Sequence, residues 1–389
     1  MDKMVNCNET LRFTSICLQN WRNFTEVRVD LQRRAFLVGP NASGKSNFLD
    51  AFRFLRDIVS IGGGFQEAVR RRGGLSKIRC LAARRNPNVS IEVTIGTEAN
   101  KYMWKYKLSF GQDPQKRLLI KEEKVMKGEE ITLERPNQED KKDKERLTQT
   151  HLEQINVNQP FREIADFFKT IYYLHIVPQL IREPERSAGK IKDPYGGDFL
   201  EQIAKTNKKT RSSRLNTIVK ALRIAVPRLQ TLELWQDEKG IPHLRGKYEH
   251  WRYPGAWQTE EHFSDGTLRL IGLLWALLDG NGPLLLEEPE LSLHPEIVRH
   301  IPQIFARLQN RTGRQVIVST HSQELLRDEG IGLDEIFLFI PQQEETLVKP
   351  ANSFNEIVEL IRFGKSLPDT ILPYTSPKEV SQLSLFPDA

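Results

Sequence analysis

Apolar and polar positions alternate through residues 12–18 and 25–31, the period of strands with one buried face, and the unbroken apolar run Ala35-Phe36-Leu37-Val38 reads as a buried strand. Residues 46–59 carry a helical period, and after the break Gly62-Gly63-Gly64 a second helical stretch ends near Arg72. Strand patterns return at 89–95, 101–110, 118–126 and 131–133, several alternating as in a half-exposed antiparallel sheet. From Asn137 the chain becomes densely charged and then helical to about Val226, interrupted by a Pro/Gly-containing stretch at 183–197. The pattern predicts an inserted, mainly helical subdomain here. A hairpin-like pair, 231–235 and 243–248, follows across the turn Asp237-Glu238-Lys239-Gly240. The last third predicts an apolar helix at 267–278, buried strands at 283–286, 315–319 and 336–340, and helices between them at 295–308 and 322–327. Strands alternating with helices imply a parallel sheet.

Composition narrows the class without deciding it. The 389 residues are 39% hydrophobic, enough for one large core or two smaller ones, and the net charge of +6 permits contact with nucleic acid. Positive residues cluster at Arg70-Arg71-Arg72, at Arg84-Arg85 and between Lys205 and Arg214, where a solvated face and a DNA-contacting face are equally compatible with the run. Cys7, Cys17 and Cys80 have no C-x-x-C spacing, so neither a disulfide framework nor a zinc site is expected, and a reducing cytoplasm fits. The start of the chain has no basic-then-apolar signal pattern, and the longest apolar run, 270–278, is too short to span a bilayer. A soluble, cytoplasmic protein with no membrane partner is expected.

Residues 39–46, Gly-Pro-Asn-Ala-Ser-Gly-Lys-Ser, form a complete G-x-x-x-x-G-K-[ST] phosphate loop between the strand at 35–38 and the helix at 46–59. Glycines let the backbone wrap phosphates, Lys45 is placed to reach the β- and γ-phosphates, and the Ser46 hydroxyl suits Mg²⁺. Leu284-Leu285-Leu286-Glu287-Glu288 closes an apolar strand with paired carboxylates, Glu287 where a metal-side acid is expected and Glu288 where a base could polarise water. Phe263-Ser264-Asp265-Gly266-Thr267 opens the apolar helix, either as a plain cap or as a γ-phosphate contact, and His321 ends a buried strand within Ser319-Thr320-His321-Ser322.

In this order the elements resemble the ABC-type ATPase heads of the RecF, SMC and OLD-like group, most closely the stand-alone bacterial AAA ATPases of RecF-like type. The resemblance implies an α/β P-loop head, a mostly parallel core sheet plus an antiparallel β-layer, with the helical insertion. Its parts would be a first head portion at 1–136, the insertion at 137–250, a second head portion at 251–372 and a flexible tail at 373–389. It implies Gly39, Asn41, Gly44, Lys45, Ser46 and Asn47 as the Walker A loop, and Ser264, Asp265, Gly266 and Thr267 as the signature loop. Glu287 and Glu288 would be Walker B, residues 291–294 the D-loop and His321 the switch histidine. It further implies ATP and Mg²⁺ as cofactors, hydrolysis of ATP by water, and a homodimer in which the signature loop of one copy covers the ATP held by the other. Glu287 departs from the Asp common at that position. The adenine-facing group is expected among Trp21, Arg22 and Asn23 or elsewhere.

Anti-phage defence beside a separately encoded effector is the process this resemblance favours, with DNA repair or replication as its rival. The tail sequence Gln382-Leu383-Ser384-Leu385-Phe386 is similar to a sliding-clamp docking peptide and supports the rival. A transporter ATP-binding subunit is disfavoured by the long basic insertion and by S-D-G-T in place of L-S-G-G-Q. A nuclease of the OLD kind is disfavoured because about 68 residues follow His321.

Overall fold

The computed structural model describes residues 9–82, 87–183, 193–249 and 256–376. Arg84, Arg85, Cys7 and the clamp-like segment 382–386 lie outside them. The strands, in chain order, are β1 (Arg12–Trp21), β2 (Phe24–Asp30), β3 (Arg34–Val38), β4 (Val89–Gly96), β5 (Trp104–Gln112), β6 (Leu118–Lys127), β7 (Glu130–Arg135) and β8 (Tyr172–Leu174). They continue as β9 (Leu229–Gln236), β10 (Pro242–Tyr248), β11 (Ala256–Thr259), β12 (Leu284–Glu287), β13 (Val316–Thr320), β14 (Ile336–Pro341) and β15 (Thr346–Pro350). Contacts divide the chain into two compact units: Met1–Tyr172 with Asn281–Leu285 and Phe305–Ala389, and Tyr173–Gly280 with Leu286–Ile304.

In the first unit the antiparallel layer runs in the order β2-β1-β4-β5-β6-β7. The other sheet has the order β15-β14-β3-β13-β12-β8, with β3 parallel to both β13 and β14 and only β15 antiparallel to its neighbour among the registered pairs. The helix Lys45–Val59 is buried along most of its length. Phe48 meets Phe24 of the antiparallel layer at 6.5 Å and Phe339 of the parallel sheet at 5.7 Å between ring centres. Phe52 meets Phe13 of the layer at 4.7 Å. Aromatic positions four apart on one helix thus join both sheets through the same element.

The stretch that follows Asn137 is tied back to the antiparallel layer. Arg135, fully buried, donates to Asp140 at 2.8 Å and to Glu123 at 2.9 Å, and also to the carbonyls of Arg146 and Gln149. Glu123 in turn accepts from the backbone of His151 and Leu152. This network binds residues 137–152 to the antiparallel layer, and contact places the start of the second unit at Tyr173. The second unit contains the helices Phe199–Lys205, Lys208–Ala225 and Asp265–Leu278, and the small sheet β11-β10-β9. Part of the expected helical run, 172–174, is strand β8, because it pairs beside β12 where local pattern carries little weight. The helix expected at 322–327 is a single 3₁₀ turn, Leu325–Arg327.

Removing Arg135 strands two buried carboxylates. Arg135→Met is expected to cost about 3–5 kcal/mol in urea unfolding, far more than loss of an exposed ion pair. The same neighbourhood sets a pH dependence. Burial, reinforced by Arg135, pushes the His151 imidazole down from its ordinary 6.5 to about 4. The unfolded chain therefore binds a proton there that the folded chain refuses, so this group's contribution to stability is lost as pH falls from 6.5 towards 4. His151→Gln is expected to flatten that part of a stability-against-pH profile.

Candidate functional site

The phosphate loop is built by register and backbone conformation. Val38 of β3 lies opposite Thr320 of β13, so the residues that follow, Gly39 and His321, leave neighbouring parallel strands at the same edge. They line one cavity of about 160 Å³ with Gln323 and the helix residues Pro368, Ile371 and Leu372. Gly44 has φ +97°, the left-handed region, and a side chain there would strike the Asn23 amide. Directly after it the helix Lys45–Val59 starts with no side-chain cap and no acid in its first turn. Such a helix start presents uncapped N–H groups and the positive end of the dipole to an anion.

The remaining loop residues suit the same ligand. Lys45, 6% exposed, donates through Nζ to the Gly39 carbonyl at 2.9 Å and the Pro40 carbonyl at 3.0 Å, which folds it into the loop's own concavity. The Ser43 hydroxyl inside the loop is buried without a hydrogen-bond partner among the described residues. Asn41 and Ser46 face outward, accessible to a ligand. An orphaned hydroxyl, a buried ammonium and an uncapped helix start fit a triphosphate, with Ser46 able to offer its oxygen to a bound Mg²⁺.

Asn23 is the residue whose role the sequence hid. Its amide donates to the Ser43 carbonyl at 3.0 Å and to Thr346 Oγ1 at 2.7 Å, and its oxygen accepts from Asn47 Nδ2 at 2.9 Å. It therefore ties the loop to the start of its helix and to β15. Asn47 is committed to this bridge. Trp21, considered for adenine contact, is fully buried, with its indole N–H on the Asn47 carbonyl. Its ring has no open face for a base. Arg22 bonds Asp50 at 3.2 Å and the Lys77 carbonyl at 2.9 Å. Nor is the triple-arginine cluster simply a surface charge: Arg72 is buried in ion pairs with Asp50 at 2.8 Å and Asp57 at 3.0 Å, while Arg70 and Arg71 both bond Glu67. Burial alone would raise the Asp50 carboxyl, but Arg72, with Arg53 and Arg22, outweighs it and holds it below the usual range.

In the second unit Ser264 caps the helix Asp265–Leu278, accepting from the Thr267 backbone N–H at 3.2 Å, and its hydroxyl bonds the Thr267 hydroxyl at 2.8 Å. Thr267 is nearly buried, whereas Ser264 is exposed. Arg182 fixes the approach to this cap, donating to the Phe263 carbonyl at 2.7 Å and to Asp265 Oδ1 at 2.6 Å. A side chain at Gly266 would run into the Ser292 carbonyl, so the 291–294 turn passes directly over the backbone of this helix start. Glu287 accepts a hydrogen bond from the Tyr173 hydroxyl. Glu288 has φ +44°, uncommon for a residue with a side chain and costing about 1–3 kcal/mol. Strain at the second acid of the pair, and a phenol on the first, mark this strand end as more than an ordinary turn.

With that geometry in view the relatives are informative. The family described as "AAA domain, putative AbiEii toxin, Type IV TA system" matches residues 34–327. The chain belongs to this family. Its fold is the α/β P-loop fold of an SMC-type head. Among solved structures it resembles an Smc head bound to the C-winged helix domain of ScpA, with a TM-score of 0.54 and 13% identity over 87% of this chain and 96% of that one. It also resembles an Smc head with an extended coiled coil, bound to the C-terminal domain of ScpA from Pyrococcus furiosus, with a TM-score of 0.51 and 11% identity over 90% and 100%. Endonuclease GajA of Bacillus cereus (strain VD045) is 43% identical over 47 residues, 12% of this chain. The match spans only 8% of that relative's length.

Asn23→Ala removes the three bonds that brace the loop while leaving Lys45 and Ser46 in place. Fluorescent-ATP titration is expected to show about ten-fold weaker binding, the equivalent of one to two ordinary hydrogen bonds, and parental affinity in the variant would discount the brace.

Proposed function

We propose that the chain is an ATP-driven molecular switch. Gly39, Asn41, Gly44, Lys45, Ser46 and the backbone of Asn47 would hold ATP, and Ser46 and Glu287 would hold Mg²⁺. Lys45 neutralises phosphate charge, Glu288 takes the proton of the attacking water, and His321 contacts the γ-phosphate or that water. Ser264, Gly266 and Thr267 of a second copy cover the nucleotide, so the working species is a homodimer closed by ATP and opened by hydrolysis. The carrying observation is the buried Lys45 folded into a loop that a left-handed Gly44 delivers to an uncapped helix start.

The process we favour is anti-phage defence in the cytoplasm, with a separate effector protein and a DNA-associated trigger. A family description that names a toxin–antitoxin system supports a partnered effector, as does short-range likeness to a protein named an endonuclease. Among the described residues no helix is long and apolar enough to cross a membrane.

Lys45→Ala is expected to weaken ATP binding roughly 100-fold, the loss of a charge-assisted contact. Glu288→Gln should bind ATP normally, turn over about 10²–10⁴-fold more slowly and accumulate as a dimer by light scattering with ATP and Mg²⁺. A Glu288→Gln chain that hydrolyses ATP at the parental rate, or a parental chain that stays monomeric with Mg²⁺ and a non-hydrolysable analogue, overturns the assignment.

A further inference from the structure

The small sheet of the second unit carries two half-exposed tryptophans on one face. Registered pairs in an antiparallel sheet point the same way. Trp257 therefore shares a face with Lys247 and Thr231, Thr259 with Arg245 and Glu233, and His243 with Trp235. The opposite face carries Leu232 and Leu244, both buried, and β9 packs on the helix Lys208–Ala225. Trp235 is 39% exposed and Trp257 47%, whereas Trp21, Trp104 and Trp275 are buried. The Arg245 guanidinium lies between the indoles, 4.6 Å from the Trp257 ring centre and 5.7 Å from that of Trp235, and Glu233 holds its Nε at 2.7 Å. Arginine thus fixes both rings in place on rigid strands, at a position where leaving them in water is unfavourable.

We propose that this outer face of β9–β10–β11 is a stacking platform for unpaired DNA. Planar bases match immobilised indole faces, and Arg245 and Lys247 supply positive charge beside them for the backbone, one of the two offset by Glu233. The other registered positions on the face are Thr231, Thr259 and His243, with no aliphatic side chain. A protein partner would find aromatic anchors without the apolar surround that makes such anchors productive. Duplex DNA hides its base faces and is the weaker ligand. The platform uses no residue of the nucleotide site.

The test is fluorescence anisotropy of labelled oligothymidylate, oligouridylate and duplex DNA, each of about 20 residues per strand, on the full chain without nucleotide. Oligothymidylate is expected to bind more tightly than the duplex and at least as tightly as oligouridylate. Trp257→Ala and Trp235→Ala should each weaken it about ten-fold, or about 1.4 kcal/mol, within the range of one lost base stack. Trp257→Phe should retain most of the affinity, which separates stacking from a folding defect. Lys247→Gln should lower the salt slope by about one. The Lys45→Ala chain should bind oligothymidylate like the parent, so failure of the ATP reading leaves this result standing. The proposal is overturned if both alanine variants bind within two-fold of the parent, if duplex binds as tightly as oligothymidylate, if oligouridylate binds more tightly than oligothymidylate, or if the parent binds no oligonucleotide.

Discussion

The first unit depends on one buried helix. Lys45–Val59 runs between the antiparallel layer and the parallel sheet, and Phe48 and Phe52 touch aromatic residues from both. Such a helix cannot tilt or slide without opening two packed interfaces. Its charged residues are satisfied in the interior: Asp50 and Asp57 share Arg72, and Arg56 bonds Asp57 at 2.9 Å. The start of the helix is therefore a fixed point in space, and the phosphate loop inherits that rigidity.

Around this fixed point the loop spends backbone strain and polar side chains on one shape. Ala42 and Gly44 are left-handed, Asn23 bridges three segments, and Lys45 bonds carbonyls of its own loop. The left-handed Ala42 opposes stability locally and persists because the surrounding packing and these hydrogen bonds over-determine it. The second unit repeats the principle on a smaller scale. Its strained Glu288 follows a strand whose last acid is bonded by Tyr173, and the approach to its Ser264 cap is held by Arg182.

The arginines show how one residue type serves opposite purposes. Arg72 and Arg135 are interior struts that each satisfy two carboxylates. Arg214, in the basic segment considered for DNA, bonds Asp279 at 2.7 Å and lies over the Trp275 ring, and Arg211 donates to the Ala204 carbonyl. Arg245 instead stands on an exposed sheet face between half-exposed indoles. Charge clusters in a linear sequence mix these roles, because burial is decided by partners distant along the chain.

The motifs whose chemistry is local were legible in the sequence by itself. A strand, a glycine turn and a helix start are contiguous in residues 35–59, and the Ser264 cap precedes its own helix, so spacing was enough to find them. Strands with an alternating pattern, β4 to β7, were legible for the same reason. Only the tertiary structure decided that Asn23 braces the loop, that Trp21 is interior, that 172–174 is a strand and that residues 137–152 belong with the antiparallel layer. Each of those outcomes draws on hydrogen bonds and contacts between residues more than ten positions apart, whose free energy outweighs local preference and leaves no period in the chain.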